Sequence, residues 1–239
     1  MISVRKSSDR GHADHGWLNA YHTFSFASYM DHDHMGFGPL RVLNEDRVAP
    51  GSGFPPHPHR DMEILTWVLE GALAHKDSTG ASGVLKPGEM QHISAGRGIQ
   101  HSEFNASSNE SVHLLQIWLY PRARGLEPAY AHQAFPDSDR KNKLQVLASP
   151  DGNKGGLAIR TETTLYASDL SAGGDTSLQL VPNEAGWLQV TKGSVTVNGV
   201  ELTAGDGLSA QQVTKLEIKS LEGGSFLLFV FPDSLPAED

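Results

Sequence analysis

Short apolar runs separated by turn residues dominate this chain. Residues 62–69 form one run, closed by Gly71, and residues 112–120 form another. Runs at 144–148, 177–181, 187–191, 194–197, 213–218 and 226–231 extend the series. Their length and their bounding turn residues predict strands rather than helices. The unbroken apolar character of 62–69 predicts a strand covered on both faces. Asn198-Gly199 stands between Val195-Thr-Val and Val200. That dipeptide favours the positive φ angles of a type I′ turn and predicts a tight hairpin. No long segment carries a helical period. Many short strands with regular turns predict a sandwich or barrel.

The pattern also suggests two units. Residues 123–142 are richer in Pro, Asp, Arg and Lys and read as a linker or crossover between β units. The expected division is 1–135 and 136–239. Trp67-Val-Leu-Glu-Gly71 is matched in kind by Leu188-Gln-Val-Thr-Lys-Gly193, an apolar strand closed by a turn glycine. Each is followed by a hairpin, and then by Pro87-Gly88-Glu89 or Ala204-Gly205-Asp206. The order strand, hairpin, glycine–acid turn therefore occurs twice.

Composition narrows the chemistry. The 239 residues include 25 glycines and 13 prolines, which fits a turn-rich β protein. There is no cysteine, so disulfides, thiolate metal sites and cysteine nucleophiles are excluded. This absence and the lack of an apolar leader after Met1 fit a cytoplasmic protein. No apolar run approaches the roughly 18 residues of a membrane helix. A net charge of -9 argues against direct nucleic-acid binding, because the phosphate backbone rewards cations.

Two stretches carry candidate metal chemistry. In Gly51-Ser-Gly-Phe-Pro-Pro-His57-Pro-His59, the two histidines stand at i and i+2. On a strand, alternate side chains share a face, so both imidazoles can reach one point. Pro58 keeps the backbone between them extended. Further on, His101 and Glu103 show the same relation. Two neighbouring strands can thus present three imidazoles and a carboxylate to one centre. Nitrogen and oxygen donors of this kind suit iron, copper, manganese, nickel or zinc.

Other candidates have plainer readings. Glu63 fits an outer acceptor or a salt-bridge partner. His32-Asp-His34 repeats the spacing, but in a polar stretch without an apolar strand. His12, His15, His75, His92, His113 and His132 show no partner pattern and read as structural or solvated. His22, in His22-Thr-Phe-Ser-Phe-Ala, is placed to line a pocket. Phe54 and Phe104 are placed either to wall a pocket or to pack in the core. No nucleotide-binding glycine motif is present; Gly96-Arg-Gly98 reads as the turn before the second ligand strand.

The two stretches resemble the cupin motifs. The first reads Gly51-x5-His57-x-His59-x3-Glu63, and the second Gly98-x2-His101-x3-Asn105. With His22-Thr-Phe-Ser-Phe-Ala27 and Ser94-Ala-Gly-Arg-Gly-Ile-Gln-His-Ser-Glu103, the chain resembles the pirin family, nearest to its bacterial quercetinases. The resemblance implies an all-β fold of two stacked cupin (jelly-roll β-barrel) domains. It implies one divalent metal held by His57, His59, His101 and Glu103, with Glu103 also the catalytic base. Iron is the first expectation; copper, zinc, nickel, manganese or cobalt are alternatives. The implied reaction opens the flavonol ring of quercetin with dioxygen and releases carbon monoxide. The alternative it implies is a metal- and redox-sensing transcriptional co-regulator that binds a protein partner. Aligning the repeat places Gln179, Val181, Ile218 and Ser220 where the first unit has its four ligands. The second unit is therefore expected to hold no metal.

Overall fold

A computed structural model describes residues 1–233; residues 234–239 of the second expected unit lie outside them. The regular structure of the chain is almost wholly strand. The first half contains β1 (Ile2–Arg5), β2 (Gly11–Asp14), β3 (Leu18–His22), β4 (Leu40–Val48), β5 (Gly53–His59) and β6 (Glu63–Glu70). It continues with β7 (Leu73–Asp77), β8 (Ser82–Leu85), β9 (Glu89–Ser94), β10 (Ile99–Asn105), β11 (Val112–Leu119) and β12 (Ala129–Ala134). The second half contains β13 (Gln145–Pro150), β14 (Leu157–Ile159), β15 (Thr164–Leu170), β16 (Asp175–Gln179) and β17 (Glu184–Val197). It ends with β18 (Val200–Thr203), β19 (Gly207–Gln211), β20 (Lys215–Lys219) and β21 (Gly224–Pro232). No helix among the described residues is long and apolar enough to cross a membrane.

Two cupin barrels result. The first pairs a seven-stranded sheet, ordered β12-β9-β6-β11-β4-β3-β2, with a four-stranded sheet, β5-β10-β7-β8. The second is built on β19-β17-β21-β15-β13-β14, with β16, β18 and β20 joined to it. Period-two alternation explains how they stack. On β6, Leu65 and Trp67 face the second barrel, and on β11 so do Leu115 and Ile117. They meet Leu147, Trp187, Leu227 and Phe229 in one buried apolar layer. Their sequence neighbours Ile64, Thr66, Val68, Leu114 and Gln116 point the other way, into the first barrel. A strand covered on both faces is what the apolar run at 62–69 predicts.

Three features depart from the expected pattern. The stretch 123–142 is not all connection: β12 lies within it and pairs antiparallel with β9. Its residues are half-exposed or exposed, so it has no apolar signature. The runs at 187–191 and 194–197 are one strand, β17, whose register against β21 shifts between Val190 and Lys192. Such a bulge bends a strand without ending it. Finally, β1 leaves the first barrel and pairs with β19 of the second.

Glu63 ties the barrels together. Its carboxylate accepts from Ser94 Oγ, meets His92 Nε2 at 2.6 Å and accepts the Arg160 backbone N–H across the barrel boundary at 3.0 Å. Against the upward push of burial, these contacts hold Glu63 below the usual carboxylate range. Glu63 is thus a buried acceptor paired with His92 and lies outside both candidate metal clusters.

Candidate metal centre

Strand pairing assembles the cluster. β5 and β10 are antiparallel neighbours, with His57 directly opposite His101. β5 is the edge of its sheet, so Pro55, Pro56 and Pro58 interrupt no ladder on its outer side. The ring centroids of His57, His59 and His101 are 4.4–4.9 Å apart. One ring nitrogen from each lies within 4.8 Å of the others.

The nitrogens are prepared as ligands. His57 Nδ1 lies 2.8 Å from the Pro55 carbonyl, which can only accept, so Nδ1 carries the hydrogen and Nε2 the free lone pair. Both ring nitrogens of His101 are buried without a hydrogen-bond partner. Burial, reinforced by the neighbouring His57, drops the His59 pKa to about 4 and that of His101 to about 3. Both rings are thus neutral at pH 7, the form that binds metal. This donor set fits a divalent transition ion.

Glu103 occupies a different position. A bulge between His101 and Glu103 separates the two residues in register. The Glu103 carboxylate accepts from Gln91 Nε2 and Thr66 Oγ1 at one oxygen and from Gln116 Nε2 at the other. Burial pushes its pKa up to about 7 despite these donors. One carboxylate oxygen shares a second donor cluster with His75 and His101, again within 4.8 Å. The four expected residues therefore form two sets joined at His101: three imidazoles on one side, and His101, Glu103 and His75 on the other.

His75 is the residue that sequence pattern alone missed. It lies opposite Glu103 in the pairing of β7 with β10. Its Nε2 meets Asp77 at 3.0 Å, leaving Nδ1 buried without a partner, and its ring stacks on Tyr130. Burial lowers its pKa. A signal existed: His75-Lys-Asp77 has the same alternate spacing as the two ligand pairs.

Behind the cluster, one row of buried polar side chains crosses five strands of the larger sheet. The pairings run Gln91 to Thr66, Thr66 to Gln116, Gln116 to Asn44 and Asn44 to His22. Gln91, Thr66 and Gln116 grip Glu103. Asn44, His22 and the nearby Asp46 of β4 line a cavity of about 320 Å³ that also reaches His57, His59, His101 and Glu103. Leu18, Ala20, Phe26, Phe54, Ile64 and Trp118 supply its apolar wall. His22 thus lines the pocket, as its position suggested. Phe54 does too, whereas Phe104 is exposed on the outer face. Burial, with Glu103 and Glu45 nearby, raises the Asp46 pKa to about 8.

The remaining histidines have structural places. His92, His113 and His132 face Glu63, Glu45 and Glu89, and His34 faces Asp31. His12 stacks on Tyr21. His15 and His32 are exposed. In the second barrel, Ile218 packs in the core, Val181 is exposed and Ser220 Oγ donates to the Ser194 carbonyl. Among the described residues, both candidate metal clusters lie in the first barrel.

Comparison with known proteins places this geometry. The family model described as Pirin matches residues 3–119, and that of the quercetinase C-terminal cupin domain matches residues 146–230. Quercetin 2,3-dioxygenase of Escherichia coli K12 is 44% identical over 232 residues, 97% of this chain and 99% of its own. The chain belongs to the pirin family. A pirin-like protein of Caulobacter vibrioides is 43% identical, over 95% of this chain and 98% of its own. The crystal structure of the Escherichia coli pirin YhhW in complex with nickel(II) superposes with a TM-score of 0.93. At 43% identity, that match covers 98% of this chain and all of the other. The pirin relative thus carries a divalent metal in the same fold.

Proposed function

We propose that this pirin-family protein is a metal-dependent dioxygenase that opens the flavonol ring of quercetin. The observation that carries this reading is the opening of the His57, His59 and His101 cluster into an apolar-walled cavity that also contains a buried carboxyl group. The near full-length likeness to the Escherichia coli enzyme supports the same reading.

His57, His59, His101 and Glu103 hold one divalent transition metal. Nickel is supported by the bound relative, and iron, copper, zinc, manganese or cobalt suit the same donors. When bound, the metal supplies a Lewis acid that stabilises the anion of the flavonol 3-hydroxyl beside its carbonyl. The protein contributes the rest. Glu103, buried beside the imidazoles and facing the cavity, takes the 3-hydroxyl proton. Gln91, Thr66 and Gln116 keep its carboxylate aimed at the cavity. Phe26, Phe54 and Trp118 present flat apolar surfaces to the ring system and exclude water. In the balanced reaction both atoms of dioxygen enter the ester product, and one ring carbon leaves as carbon monoxide with its own oxygen.

The test is aerobic turnover of quercetin by metal-loaded protein, followed by loss of its visible absorbance and by carbon monoxide release. Turnover that vanishes in Glu103→Ala and His101→Ala is expected. Full metal occupancy without turnover of any flavonol would remove the enzymatic reading.

A further inference from the structure

The polar row across the larger sheet is used only in part by Glu103. Gln91, Thr66 and Gln116 engage the carboxylate; Asn44 and His22 continue the row beyond it. At the roughly 4.8 Å spacing of neighbouring strands, Asn44 and His22 stand about 10 and 14 Å from Thr66. Asp46 is two residues along β4 from Asn44 and therefore on the same face.

These three side chains share an unusual condition. Each is more than nine-tenths buried: Asn44 is 4% exposed, Asp46 4% and His22 5%. Asp46 Oδ1 has no hydrogen-bond partner. Asn44 Oδ1 and His22 Nδ1 have none of good geometry, although the two side chains face each other across β3 and β4, and Asn44 partly offsets the downward push of burial on the His22 pKa. All three residues line the cavity, amid Leu18, Ala20 and Phe26. A buried polar atom left unpaired is destabilising, so such atoms in a pocket wall await a partner from a ligand or from water. Glu63 and Asn105 of this barrel are fully engaged, and other buried side chains with an unpaired atom, such as Thr23, Gln91 and His113, do not line the cavity.

We propose that Asn44, Asp46 and His22 form a hydroxyl-recognition strip, which selects flat aromatic ligands bearing phenolic hydroxyls beyond the group presented to the metal. Two of the unpaired atoms are oxygens, which accept from a phenolic O–H. The imidazole nitrogen pairs with the same hydroxyl or a neighbouring one. Asn44 and His22 lie one and two strands beyond Gln116, with Asp46 nearer Glu103, so together they meet ligand groups beyond the one presented to the metal. This inference rests on the flavonol reading above and adds to it the feature of the substrate that is selected: ring hydroxyls rather than the hydroxyl–carbonyl pair alone.

Two probes separate the contributions. Quercetin and 3-hydroxyflavone carry the same hydroxyl–carbonyl pair, but 3-hydroxyflavone has no other hydroxyl. Binding of each to metal-loaded, oxygen-free protein is measured by tryptophan fluorescence quenching. The expected result is at least a tenfold preference for quercetin in the unaltered protein. In Asn44→Leu and in Asp46→Leu that ratio collapses at least fivefold, the loss falling on quercetin. Asp46→Asn, which keeps shape and hydrogen bonding, retains most of the preference. His22→Phe supplies a further variant should one leucine substitution fail to fold, with metal content as the check on folding. Equal affinity of the unaltered protein for both probes, or equal weakening of both in the variants, overturns the strip and leaves the flavonol reading standing. Failure of the unaltered protein to bind either probe overturns both.

Discussion

The two barrels share an architecture and differ in what fills them. The second is lined by one continuous apolar core that includes Leu188, Val190, Val197, Leu208, Leu216, Phe226 and Leu228. In the first, the lumen is split. Leu18, Val48, Val68, Leu73 and Leu114 form one apolar cluster, and Ile64, Ile93, Ala95 and Ile99 form another. Between them run the polar row and Glu103. A barrel can evidently hold such a row if its neighbour supplies packing through a shared layer. The apolar layer between the barrels, with Trp67 from one side and Trp187 and Phe229 from the other, provides it. The lesson is a division of labour: one barrel gives up interior packing to a polar, donor-rich lumen, and the other stabilises the pair.

That contrast is open to attack. The largest effect is expected from His101→Ala, which removes the residue common to both donor clusters. Metal content measured by elemental analysis should fall to background and quercetin turnover by more than about a hundredfold, since even outer-sphere changes at metal sites cost 10–100-fold. Retained metal in this variant would separate the metal site from the cluster. Next comes Leu228→Ala, in the core of the second barrel. It should lower stability by about 2–5 kcal/mol in chemical denaturation while the folded fraction keeps its metal. Loss of metal without loss of stability would reverse the assigned roles.

A pH experiment sharpens the contrast further. The folded pKa of Asp46 is raised to about 8, so the folded protein holds a proton that the unfolded chain has released. Stability from this group is full below about pH 4 and is lost as pH rises through about 8, with a slope up to about 1.4 kcal/mol per pH unit. In metal-free Asp46→Asn, that component should disappear, and the variant should be the more stable protein at pH 8. Parallel stability curves for the two proteins would show that the interior of the first barrel is not polarised in this way. The smallest effect belongs to Asn198→Ala, at the hairpin turn of the second barrel. Asn198 has φ 48° and caps Lys215 and Glu217 through its side chain. Its replacement should cost about 1 kcal/mol, visible as a small drop in midpoint, with turnover unchanged.

Much of the site was legible because its spacing is local. His57 with His59, and His101 with Glu103, alternate on single strands, and alternate residues share a face whatever the fold. The hairpin at Asn198-Gly199 was legible for the same reason. The polar row was not. Gln91, Thr66, Gln116, Asn44 and His22 are single polar residues on separate strands. They become a row only when four strand pairings set their registers. His75 fell between these cases, since its partner Asp77 is local but its approach to Glu103 depends on the pairing of β7 with β10. The edge strand β12 escaped because its residues are only half-buried or exposed and carry no apolar run, and β1 because its partner is encoded some two hundred residues away.

That last feature bears on the order in which the molecule matures. Ile2–Arg5 are made some two hundred residues ahead of their partners at 207–210. Until β19 has been made, β1 has nowhere to dock and this edge of the second barrel lacks its outer strand. Joining ends so distant is slow, because the chain must be gathered before the contact forms. The segment therefore acts as a late clasp, and a chain in which it is not yet docked has an open edge that invites aggregation.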